Sequence, residues 1–119
     1  MHDFRDLNVW HKARSLAVAV YGLTASYPTT ERFGLVSQTR RAAVSVTANI
    51  AEGCGRRGSR ELARFVDISL GSIFELESHL ILAGDLHFLG SEELGETMSA
   101  ISELKRMLVG LAKSLARQD

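Results

Sequence analysis

Apolar residues recur along this chain at the three- and four-residue steps that lay one stripe along a helix. From Leu7 to about Ala25 the stripe is Leu7, Trp10, Ala13, Leu16, Ala17, Val20 and Leu23. Tyr27-Pro28 ends it, because proline disfavours helical geometry in the residue before it. Thr29 and Thr30 can cap a short turn over Glu31, Arg32 and Phe33, and a second helix is expected from about Leu35 to Ala51. Gly53, Gly55 and Gly58 break that helix, and Ser59 is placed to cap a third one running to Leu89. The third stripe is Leu62, Phe65, Val66, Ser69, Ile73, Leu76, Leu80 and Ala83. Gly90 fits the residue just past the helix end. Ser91, Glu92 and Glu93 open a fourth helix, with acids where the helix dipole favours them. There Leu94, Ile101, Leu108 and Leu115 recur every seven residues, with Met98, Leu104 and Leu111 between them, as in a bundle seam.

Four such patterns with short connectors predict an all-α fold, an antiparallel up-down-up-down four-helix bundle. A chain of 119 residues has room for one core, so residues 1–119 are expected to form a single domain. Val36, Val44, Phe74, Ile81, Phe88 and Val109 lie off the main seams. A lone small bundle would expose several of them, and an exposed apolar patch marks an interaction surface, so self-association is expected.

Cys54 is the only cysteine, which rules out an intramolecular disulfide and fits a reducing compartment. The opening residues lack the basic-then-apolar pattern of a secretion signal, and no apolar run nears the roughly 18 residues that span a bilayer. A cytoplasmic protein with no membrane partner is expected. The formal net charge of zero hides an asymmetry. Residues 1–64 hold ten Lys/Arg and five Asp/Glu, and residues 65–119 hold four and nine. Two readings stay open: halves that neutralise each other within or between subunits, or a face that binds anions.

Residues 40–64 hold the densest candidate chemistry. Arg40, Arg41, Arg56, Arg57, Arg60 and Arg64 face only two acids there, Glu52 and Glu61. Gathered on one surface, these arginines would bind nucleic-acid backbone or another acidic partner. For Arg40 and Arg41 the structural alternative is ion pairing with Glu52, Glu75 or Glu77 on a neighbouring helix or subunit. Gly53-Cys54-Gly55-Arg56-Arg57-Gly58 spells G-x-G-x-x-G, but a dinucleotide site needs a strand before it and a second strand beyond its helix. The pattern is helical on both sides. A glycine-rich loop between antiparallel helices is therefore expected, with no cofactor, and with at least one glycine at positive φ where the second helix ends.

Asn49, Glu52, Gly53 and Gly55 are read as structural. Asn49 is expected to bridge backbone near the Gly53 break. Glu52, an acid at the negative end of a helix, is expected to pair with an arginine. Cys54, on a flexible loop beside arginines, is a candidate for a somewhat reactive thiol. Glu75 and His79 stand one turn apart, but there is no Glu-x-x-His and no second Glu/His pair to complete a di-metal cage. His11, His79 and His87 are read as surface or boundary residues. No metal, no catalytic residue and no enzymatic activity are expected.

The string Phe4-Arg5-Asp6-Leu7-Asn8-Val9-Trp10-His11-Lys12-Ala13 resembles the opening of a bacterial family of small four-helix-bundle proteins. These are encoded within intervening sequences of 23S ribosomal RNA genes and are known as S23-type ribosomal proteins. The resemblance continues through Gln38-Thr39-Arg40-Arg41-Ala42-Ala43, Asn49-Ile50-Ala51-Glu52-Gly53 and Gly55-Arg56. It ends with Glu61, Phe65, Gly71-Ser72 and Glu75-Leu76-Glu77. His11 stands where the family often has glutamine, and Phe33 where tyrosine is usual. The resemblance implies a homo-oligomeric ring, such as a pentamer, with no enzymatic activity. Related accessory variability determinants of diversity-generating retroelements are basic, and bind nucleic acid and a reverse transcriptase. The function expected is thus an oligomeric helical module that binds RNA or other nucleic acid through the six arginines. A protein-protein interaction scaffold without nucleic-acid binding is the alternative.

Overall fold

Each apolar stripe is met by a helix in the computed structural model, which describes residues 2–118. In chain order these are α1 (Asn8–Thr24), α2 (Leu35–Cys54), α3 (Ser59–Asp85) and α4 (Ser91–Ala116). Short 3-10 turns at Phe4–Asp6 and Thr29–Glu31 precede α1 and α2. There is no strand among the described residues. Consecutive helices pack on one another and α1 closes against α4, giving an antiparallel four-helix bundle of 47 × 24 × 20 Å. Val20, Val46, Ile50, Val66, Ile73, Leu76, Ile101 and Leu108 are fully buried at its centre. Apart from Val46 and Ile50 of α2, these are positions that the helical spacing assigned to the inside.

Polar contacts set the helix ends and align the helices. Glu31 Oε1 accepts from the Leu35 backbone N–H at 3.2 Å and so caps α2. Glu93 reaches back to the Gly90 N–H at 3.3 Å and caps α4. Lys12 bridges α1 to Glu103 of α4 at 2.9 Å, and Lys105 of α4 holds Glu77 of α3 at 2.7 Å. The chain start is tied down by the His2 N–H, which donates to the Cys54 carbonyl at 3.0 Å.

Three boundaries differ from those expected. First, α2 continues through Gly53 to Cys54, so the glycines do not break it at Ala51. Gly53 is there for space: a Cβ on it would lie 2.7 Å from Phe65 Cβ and 2.9 Å from Leu62 Cδ1. Second, the positive φ belongs to Gly58 (+83°), which occupies the cap position of α3, while Ser59 is the first helical residue. Third, α3 stops at Asp85 and not at Leu89. His87, at φ 62°, takes the left-handed position expected of Gly90. Its N–H donates to Gly84 O at 3.0 Å and the Phe88 N–H donates to Ala83 O at 2.9 Å, the paired bonds of a Schellman stop. Phe88 then packs against Tyr27, 5.5 Å between ring centroids, in a small second core with Leu35, Val36 and Ala83. Val36 is therefore buried and Phe88 half-buried, whereas Val44, Phe74, Ile81 and Val109 are exposed as expected.

Candidate nucleic-acid interface

In this topology the start of α1, the end of α2, the start of α3 and the end of α4 share one end of the bundle. Dividing each helix at its midpoint, the half with the glycine-arginine connector carries eleven Lys/Arg and five Asp/Glu among the described residues. The other half carries three Lys/Arg and eight Asp/Glu among the described residues. The charge split between the two halves of the sequence has become a split along the molecular axis. Counting along the chain misses this, because α4 brings its basic last turns back beside the connector while its acidic first turn stays at the far end.

Arg56, Arg57, Arg60 and Arg64 lie together on that basic end. Arg56 pairs with Glu52 at 3.1 Å, the compensation expected for an acid closing a helix. Arg64 pairs with Glu61 at 3.0 Å. Its guanidinium holds the Glu61 carboxyl below the ordinary glutamate range by hydrogen bonding. Both arginines also cover the Phe65 ring, at 5.3 and 4.6 Å from its centroid. Phe65 therefore serves two surfaces, filling the space left by Gly53 on one side and carrying two guanidinium groups on the other. Arg57 and Arg60 are exposed and form no ion pair among the described residues. They project charge from the connector at the start of α3, where the helix dipole adds to it.

Arg40 and Arg41 are not part of this cluster. They sit four turns back along α2, about 20 Å from the connector at 1.5 Å per residue. Arg40 makes none of the ion pairs considered for it. It folds across α1, donating from Nε to Thr24 Oγ1 at 2.8 Å and from a terminal nitrogen to Tyr21 O at 3.2 Å, over the Tyr21 ring. It fastens α1 to α2. Glu75 pairs with His79 and Glu77 with Lys105. Arg41 is exposed and lines a cleft with Tyr21, Phe33 and Val44.

Asn49 also differs from expectation. Its amide donates back one turn to Ser45 O at 2.8 Å and to Ser45 Oγ at 3.0 Å, away from the Gly53 end of the helix. Ser45 Oγ meets Ser72 Oγ at 2.9 Å, and Ser69 donates to Val46 O at 3.0 Å, so small polar groups register α2 against α3. Gly55 is the C-cap of α2 with ordinary right-handed geometry. Cys54 is the largest departure. It lies inside α2 with 1% exposure, and burial pushes its thiol pKa up, so the reactive-loop reading fails.

No group of three or more His, Cys, Asp or Glu is placed to hold a metal ion among the described residues. No helix among them is long and apolar enough to cross a membrane. The model of the 23S rRNA-intervening sequence protein family matches residues 5–110. The fold is similar to a crystal structure of a protein of unknown function from the S23 ribosomal protein family of Bacteroides thetaiotaomicron. The TM-score is 0.81 and the identity 22%, covering 88% of this chain and 95% of that one. At such identity the likeness speaks for the fold alone. No curated protein matches the chain.

Proposed function

Because the chain belongs to the 23S rRNA-intervening sequence protein family, we propose that it is a non-enzymatic, self-associating helical module that binds nucleic-acid backbone through its basic end. The observation that carries this reading is the end-to-end charge separation, eleven Lys/Arg against five Asp/Glu among the described residues in the half of the bundle that holds the connector. A cluster of that sign on one surface attracts phosphates, and each phosphate contact releases counterions. Arg57 and Arg60, exposed and outside the ion pairs of their neighbours, are the residues assigned to contact. Arg56 and Arg64 are held by Glu52 and Glu61 and contribute mainly by shaping the surface. Self-association is supported by the apolar side chains left outside the core, among them Phe33 at 86% and Phe74 at 55% exposure. A ring such as a pentamer is the assembly that the family resemblance implies.

Fluorescence anisotropy with structured fragments of 23S rRNA, titrated over salt, tests the binding. Affinity is expected to fall steeply as salt rises. Changing Arg57 and Arg60 together to glutamine should reduce the log–log salt slope by about 2, since each lost phosphate contact removes roughly 0.9. Absence of binding at low salt would sink this reading and leave the protein-scaffold alternative.

A further inference from the structure

Arg40 and Arg41, set apart from the connector, belong to a second basic surface. Along α2, residues 35–51 contain these two arginines and no acid, and α1 from Ser15 to Thr24 contains no charged residue. Between the two helices lies a cleft of about 450 Å³. That is within the roughly 300–1,000 Å³ of small-ligand sites. Its walls hold two aromatic rings, Tyr21 and Phe33, and three guanidinium groups, from Arg32, Arg40 and Arg41, with no acid among the lining residues. None of the three arginines takes part in an ion pair among the described residues. Glu31, the neighbouring acid in sequence, is turned to the Leu35 N–H at 3.2 Å.

The rings of this cleft meet solvent: Phe33 is 86% and Tyr21 45% exposed. Arg32 lies over the Phe33 ring at 5.3 Å and Arg40 over the Tyr21 ring at 4.5 Å. Phe74 on α3 supplies the contrast. Lys105 lies over its ring at 4.5 Å, but the same ammonium pairs with Glu77 at 2.7 Å, so that charge is balanced on the spot. The charge around Phe33 and Tyr21 is not. Exposed aromatic rings set in uncompensated positive charge are the chemistry that holds single-stranded nucleic acid, with bases stacked on the rings and phosphates on the cations. A duplex keeps its base faces in its own stack and has none to offer them.

We propose that this cleft is a second nucleic-acid site, which takes an unpaired nucleotide of a single strand. The base stacks on Phe33 beside Tyr21, and the adjoining phosphate is held by Arg41 and Arg32. This rests on the nucleic-acid reading above and adds where, and in which form, a strand is recognised away from the basic end. Arg40, fastened to Thr24 and to the Tyr21 carbonyl, keeps the Tyr21 wall of the cleft in place. The cleft lies about 20 Å along α2 from the connector, so changes in it leave the connector arginines where they are.

Fluorescence anisotropy at low salt tests the site with two probes, a short adenine-rich RNA single strand and a duplex containing the same strand. Light scattering on the same samples follows assembly. Wild-type protein is expected to bind both. Phe33→Ala should weaken single-strand binding roughly fivefold or more, the low end of what one stacked base contributes. Duplex affinity and the salt slope should stay unchanged, since no charge is lost, and Phe33→Trp should keep the wild-type affinity. Arg41→Gln should lower the log–log salt slope for the single strand by about 0.7 and leave duplex binding alone. Phe33→Ala protein equal to wild type on the single strand, or equally weakened on both probes, would overturn the cleft site while leaving the basic end standing. A loss of binding accompanied by a change in assembly size would assign Phe33 to a contact between protein chains and overturn the site as well. No binding of either probe at low salt would overturn the basic end and the cleft together.

Discussion

The two ends of the bundle solve the same problem, reversing the chain between antiparallel helices, with different chemistry. At the connector end Gly58 takes φ +83° and bears no side chain, and the arginines around it face solvent. At the far end His87 takes φ 62°, where a residue with a Cβ pays steric strain. That strain is held by two backbone bonds to Gly84 and Ala83 and by the Tyr27–Phe88 core beneath it. One end spends its turn on surface charge, the other on packing. The contrast leaves the exposed arginines at the connector, and it assigns different costs to changes at each end.

The largest effect is expected at Gly53, just inside the connector end. Alanine there would gain about 0.5–1 kcal/mol from helix propensity. Against that, its methyl would lie 2.7 Å from Phe65 Cβ. Overpacking of a filled core costs about 1–3 kcal/mol, and a contact this close belongs at the upper end. Gly53→Ala should therefore lower stability by roughly 2 kcal/mol in urea denaturation. A neutral or stabilising result would mean that α2 and α3 are less tightly joined than their geometry requires. Gly58→Ala comes next. Its backbone conformation, φ 83° with ψ 156°, is one that essentially only glycine adopts. A loss of about 1–2 kcal/mol is expected, with rRNA affinity kept once the protein is folded, since the arginines are untouched. Loss of affinity in folded Gly58→Ala protein would tie the turn geometry to binding.

The opposite end predicts the opposite sign. His87→Gly should raise stability by roughly 0.5–1 kcal/mol, because the left-handed strain relieved exceeds the added freedom of the unfolded chain. An unchanged or lower melting point would show that the histidine ring contributes contacts that offset its backbone.

These differences track what the sequence could and could not convey. The four helices were legible because Leu16, Val46, Ile73 and Leu104 follow a period that any core-facing helix must have, and all four are buried. The position of the α3 stop was not, since glycine is the ordinary left-handed residue and Gly90 directly follows Leu89, while a Schellman stop at His87 depends on Phe88 finding Tyr27 across the bundle. Gly53 read as a helix breaker because its true cause, Phe65 on the next helix, is a tertiary contact. Of the six candidate arginines, four lie together because they are neighbours on one connector. Arg40 and Arg41 were grouped with them only by sequence proximity; the helix carries them about 20 Å away. The reactive reading of Cys54 failed for the same reason as the reading of Gly53, since both assumed a loop where α2 continues.

The smallest effect concerns Tyr27, at the base of the far end. Its hydroxyl is buried with no hydrogen-bond partner among the described residues. Burial, aided by the nearby charge of Glu93, raises its pKa to about 12. The folded state therefore keeps the phenol protonated where an unfolded tyrosine, near 10, would ionise. Below pH 10 both states bind the proton and nothing depends on pH. Between pH 10 and 12 the unfolded chain releases it first, so stability falls across that window. Tyr27→Phe removes a polar group that gains no bond when folded, so at pH 7 the change should be neutral or stabilising by up to about 1 kcal/mol. It should also flatten the alkaline loss between pH 10 and 12, measured by thermal melts at a series of pH values. A destabilised Tyr27→Phe protein at pH 7 would show that the hydroxyl has a partner in solution, and would make the far end, like the connector, a place where polar contacts set the turn.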